Sequence, residues 1–86
     1  MKITIREPYD NWHDENLPDY TLHDYNVDPS MDIESLKEMV YKTTGTPVNQ
    51  QRLIYNTIPL ADKKTLAHYG MDEGALIYLV LCLKGC

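Results

Sequence analysis

Leu76-Ile77-Tyr78-Leu79-Val80-Leu81-Cys82-Leu83-Lys84-Gly85-Cys86 is an alternating apolar run that passes without a cap into a slim tail. Ile77, Leu79, Leu81 and Leu83 share one parity, and Tyr78, Val80, Cys82 and Lys84 share the other. That period of two predicts a strand whose first set points inward, beneath a helix. Upstream, Lys2-Ile3-Thr4-Ile5-Arg6 alternates in the same way, so Met1, Ile3 and Ile5 are expected on one buried face until Pro8 ends the strand. Residues 7–19 hold Pro, Asn and Asp with little apolar content beyond Trp12 and Leu17, which reads as an acidic loop.

A second strand is expected over residues 20–27. Tyr20 and Leu22 fall on one parity but Tyr25 and Val27 on the other, so a β-bulge near His23-Asp24 is expected to bring all four to one face. Pro29-Ser30-Met31-Asp32 opens a helix: Asp32 is a suitable N-cap, Glu34 sits in the first turn, and Ile33, Leu36 and Val40 form one apolar stripe. Gly45, with Pro47 beyond it, closes the helix. A short strand over residues 52–55, a tight turn at Asn56-Thr57 and a brief return over residues 58–60 follow. Leu66 to Gly70 then suggests one helical turn. The order strand, strand, helix, strand, strand gives an α+β fold with one main helix across a mixed sheet of four to five strands. The body is expected to span residues 1–82, with 83–86 as a flexible C-terminal tail.

Composition narrows the function. At 86 residues the chain is near the lower limit for a core that holds without disulfides or metal. Its two cysteines both lie in the last five residues, where they cannot staple a body they do not span, and they read as ordinary thiols of a reducing compartment. The formal charge is −5, and acid is concentrated before the helix, which argues against a nucleic-acid footprint. The first residues lack the apolar run of a signal peptide, and no stretch reaches membrane-spanning length. A soluble, monomeric protein of the cytoplasm or nucleus is therefore expected.

Several blocks resemble the ubiquitin family. Val27-Asp28-Pro29-Ser30, Ile33-Glu34, Lys37, Gly45-Thr46-Pro47, Leu60-Ala61-Asp62, Thr65-Leu66, Tyr69 and Leu79-Val80-Leu81 follow the family order. Gln50-Gln51-Arg52-Leu53-Ile54-Tyr55 is the most specific block. The resemblance implies a ubiquitin-like β-grasp and a partner-binding patch at Ile54, Tyr78 and Val80, with Tyr78 replacing the family's histidine. Ile58 stands where a chain-extending lysine is used, and Arg52 and Lys84 belong to a basic rim. Lys37 takes a lysine position that is half-buried in a salt bridge. Ubiquitin's tail reads L-V-L-R-L-R-G-G; here Cys82 stands for an arginine and Cys86 for the terminal glycine, with Leu83, Lys84 and Gly85 between them. These departures imply poor handling by ubiquitin's own activating enzyme.

No nucleophile, base and orienting group converge, and His13, His23 and His68 are scattered. Cys82 and Cys86 with a histidine match no zinc-site spacing, so no metal and no cofactor are expected. The chain reads as a non-enzymatic recognition module whose partners are ubiquitin-binding domains or ubiquitin-pathway enzymes. A covalent modifier, attached through a C-terminal carboxylate and possibly defective or trapping, is the alternative.

Overall fold

The computed structural model describes residues 1–8 and 20–82. Five strands, β1 (Lys2–Pro8), β2 (Tyr20–Asn26), β3 (Gln51–Tyr55), β4 (Ile58–Pro59) and β5 (Ala75–Leu81), form one sheet in the order β2-β1-β5-β3-β4. β1 is antiparallel to β2 and parallel to β5, and β5 is antiparallel to β3. One helix, α1 (Ile33–Thr44), completes the expected mixed α+β arrangement, a β-grasp. Single 3-10 turns occupy Val48–Gln50 and Ala67–Tyr69.

Alternation accounts for the core. Ile3 and Ile5 of β1, Ile77 of β5 and Leu53 of β3 have no exposed surface, and neither do Ile33, Leu36 and Val40 of the helix stripe. Met1 is only partly buried against this cluster, and its ammonium donates to the Val27 carbonyl at 3.0 Å. The helix begins where Asp32 accepts from the Ser35 amide at 2.9 Å, a bond that holds the Asp32 carboxyl below the usual carboxylate range. It ends where Gly45 turns left-handed at φ 78° and donates to the Tyr41 carbonyl. Behind the helix, Lys37 is almost wholly buried and its ammonium meets Asp62 Oδ1 at 2.6 Å. Tyr69 is half-buried, and its hydroxyl accepts from the Ala61 amide at 2.7 Å.

Three local expectations are corrected. No bulge interrupts β2, because its ladder with β1 runs rung by rung from Lys2↔Asn26 to Pro8↔Tyr20. An unbroken ladder pairs every backbone group, whereas a bulge strands one residue. Thr21, His23 and Tyr25 therefore face inward, and Tyr20 and Leu22 face out, with Leu22 53% exposed. Glu7 and Pro8 belong to β1 and not to the loop, Glu7 holding His23 Nε2 at 2.8 Å; residues 9–19 lie outside the described residues. Leu81 has the inward parity of Ile77 and Leu79 but is 44% exposed. The β1–β5 ladder stops at Arg6↔Tyr78, so beyond it β5 has a ladder neighbour only in β3. Leu83, expected to continue the inward set, lies outside the described residues.

The β3–β4 hairpin turns on Asn56 and Thr57, both at positive φ (50° and 66°), as a type I′ connection requires. Asn tolerates this region; a β-branched threonine does not. Thr57→Gly should raise the urea midpoint, by about 0.5–1 kcal/mol of stability once glycine's extra unfolded-state entropy is deducted from the relieved strain. An unchanged or lower midpoint would show that the Thr57 hydroxyl bond to the Asn56 carbonyl compensates the strain.

Candidate functional site

With α1 and the buried side chains on one side, the opposite face of the sheet is left uncovered. Strand register orders what stands on it. One rung crosses the whole sheet as Leu22, Arg6, Tyr78, Ile54 and Pro59, each residue the ladder partner of the next. Directly opposed residues point to the same side, so this rung is a continuous row of side chains. The adjacent rung carries Val80 opposite Arg52 on β5 and β3, and Tyr20 opposite Pro8 on β2 and β1. Tyr78 and Val80 are each 41% exposed, and Ile54 is half-buried beside them.

The register thus gathers Ile54, Tyr78, Val80 and Arg52 on two neighbouring rungs at the centre of the sheet. Ile58 is placed differently. Its ladder partner is Tyr55, which has the opposite parity to Ile54, so it stands exposed at the β4 edge. Of the expected tail residues only Cys82 is described. Its amide donates to the Gln50 carbonyl at 2.7 Å, and it is disulfide-bonded, so the reading of an ordinary thiol does not hold there. Leu83, Lys84, Gly85 and Cys86 lie outside the described residues.

Sequence reasoning overlooked the part of this face that β1 and β2 contribute. The Arg6 guanidinium lies 4.2 Å from the centre of the Tyr20 ring and 5.3 Å from that of Tyr78, within cation–π range of both. With Pro8, Leu79 and Val80 these three line a shallow cleft of about 170 Å³. The signal was present in the alternation of β2. Taken without a bulge, it puts Tyr20 and Leu22 on the same side as Arg6.

A larger open depression of about 470 Å³ lies among Glu34, Lys37, Val48, Asn49, Gln51 and Asp62. Its polar groups mostly serve the fold: Lys37 is held by Asp62, and Gln51 Nε2 donates to the Lys37 and Thr46 carbonyls at 2.8 and 2.9 Å. Among the described residues, no group of three or more His, Cys, Asp or Glu side chains is arranged to hold a metal ion. His68 is exposed with its ring edge-on to Tyr69, and its amide donates to Thr65 Oγ1.

A family model described as the ubiquitin family matches residues 15–84. The chain belongs to the ubiquitin family. It is 37% identical over 60 residues to the ubiquitin-like protein NEDD8 of Dictyostelium discoideum, a match covering 70% of this chain and 78% of that protein. Over 60 residues it is 38% identical to ubiquitin-like protein 1 of Schizosaccharomyces pombe, with 70% and 77% covered. The ubiquitin domain-containing protein DSK2b of Arabidopsis thaliana is 41% identical over 58 residues, which are 65% of this chain but 10% of that protein. The ubiquitin-family body therefore occurs among these relatives both in small proteins of similar size and as a minor part of a longer one.

Proposed function

We infer that this ubiquitin-like protein acts as a protein–protein recognition module of a ubiquitin-type pathway, through the outer sheet face centred on Ile54, Tyr78 and Val80. The observation that carries the reading is the pair of rungs that brings apolar and aromatic side chains together where nothing in the fold covers them. Apolar groups kept in water at the centre of a sheet cost solubility, and a partner that buries them recovers that cost. Arg52 borders the patch and supplies charge at its rim. Ubiquitin-binding domains and pathway enzymes are the partner class, met by a monomer in the cytoplasm or nucleus, and the role is binding, not catalysis.

Titration of the isotope-labelled chain with a ubiquitin-binding domain tests this. Amide shifts should concentrate at Ile54, Tyr78 and Val80. Shifts confined to the helix side, or none at saturating concentrations, would overturn the assignment.

Similarity to small ubiquitin-like proteins, most of whose length this chain spans, favours a second reading as a covalent modifier. A non-reducing gel assay for an enzyme-bound thioester, with a ubiquitin-type activating enzyme and ATP, separates the two. Efficient charging with onward transfer would promote the modifier, and absent charging with retained binding would support the module.

A further inference from the structure

Beyond the central patch, the geometry points to a carboxylate subsite at Arg6: the cleft between Tyr20 and Tyr78 receives an Asp or Glu side chain of the peptide segment whose apolar residue seats on Ile54 and Val80. This rests on the reading of that face as a binding surface and adds what chemistry the partner must carry.

The guanidinium itself gives the first argument. Tyr20 and Tyr78 both lie within cation–π distance of it, and the planar fork of N–H donors is what a carboxylate engages bidentately. Among the described residues Arg6 meets no carboxylate. The acids nearest to it in the sheet are engaged elsewhere: Glu7 faces inward to His23 at 2.8 Å, and Asp24 takes Thr4 Oγ1 at 2.8 Å and Lys2 Nζ at 3.5 Å. On a chain with 13 acidic and 8 basic residues, a partly buried arginine without an acidic partner is matched by charge from outside.

Register gives the second argument. Arg6 and Ile54 occupy one rung with Tyr78 between them, two strand spacings apart, or about 10 Å. A helix laid across the strands spans that distance between residues i and i+7, about 10.5 Å. The partner segment therefore carries an apolar anchor and an acidic residue seven positions apart. Tyr20 fixes the cation's position, because its ring is the closer of the two.

The experiment uses the full chain and two synthetic helical peptides that differ at one site. Both carry a central leucine in an alanine-rich apolar stripe; seven residues away one has glutamate and the other glutamine. The unaltered chain should bind the glutamate peptide about tenfold more tightly. Arg6→Gln should bring the two affinities within about twofold of each other, and Arg6→Lys, a point charge without the fork, should leave a smaller preference than arginine. Tyr20→Ala should reduce the preference and Tyr20→Phe should keep it, while amide shifts at Ile54 and Val80 persist in every variant. Equal binding of both peptides by the unaltered chain, with shifts at Ile54 and Val80, overturns the subsite and leaves the central patch standing. Absence of shifts at Ile54 and Val80 with either peptide overturns the patch and the subsite together. A preference that emerges only after Asp10, Asp14 and Glu15 are neutralised would assign the cleft to the chain's own acidic segment and overturn the partner assignment.

Discussion

Leu53→Ala should cost about 2–5 kcal/mol of stability, while Ile54→Ala, one residue on, should leave the fold nearly intact and remove binding. The two side chains leave β3 on opposite faces. Leu53 has no exposed surface and belongs to the cluster under the helix, so its truncation loses transfer energy and leaves a cavity that the packed surroundings only partly close. Against a total of about 5–15 kcal/mol for a small protein, that loss is a large fraction. Ile54 is half-buried between Tyr78 and Pro59 on the outer rung, so its truncation removes contact area that water or a partner otherwise sees. Truncating an apolar residue at the centre of an interface commonly costs about 1–3 kcal/mol of binding, or roughly five- to a hundredfold in affinity. Urea melts paired with a titration against a ubiquitin-binding domain check both halves. Unchanged affinity of Ile54→Ala would remove the central patch from the binding surface, and a steep fall in its urea midpoint would make Ile54 a core residue.

Much of the architecture could be read from alternation and capping because the two agree. Ile3 and Ile5, then Ile77 and Leu79, repeat at period two and are buried, and Asp32 and Gly45 bracket a helix whose stripe has the period of α structure. The errors share one cause. Inward direction was assigned by apolarity, and that rule fails where the outward face is itself apolar. Tyr20 and Leu22 broke the expected pattern of β2, and a bulge was inferred to restore it, although the break was the trace of the exposed face. Leu81 misled in the other sense: its parity was right, but parity does not show where a neighbouring ladder stops. Ile54, Tyr78 and Val80 entered through family resemblance, which named positions without their surroundings. Arg6 drew no attention because a lone cation near a chain start has no sequence signature. Only the register that lays β1 beside β5 and β2 brings Tyr78 and Tyr20 to it.

The Lys37–Asp62 pair should show a marked asymmetry between its partners. The Lys37 side chain is 9% exposed and that of Asp62 47%, so one charge depends on the pair far more than the other. Asp62→Ala leaves an ammonium held inside the protein without its carboxylate, and breaking such a pair from one side costs about 3–5 kcal/mol when both partners are buried. Water reaches the Asp62 side, so about 1.5–3 kcal/mol is expected here. Lys37→Met removes the buried charge along with the bond and fills the site with an apolar chain of similar length; it should cost less than about 1 kcal/mol. Adding Asp62→Ala to Lys37→Met should then cost little more, because the carboxylate has no buried cation left to satisfy. The double variant should thus be more stable than Asp62→Ala alone, a coupling that urea denaturation of the four proteins measures directly. Equal and additive losses would mean that the ammonium reaches solvent when its partner goes. In that case the 2.6 Å contact contributes no more than an exposed ion pair, and the helix lysine is held in place by the packing of its stem.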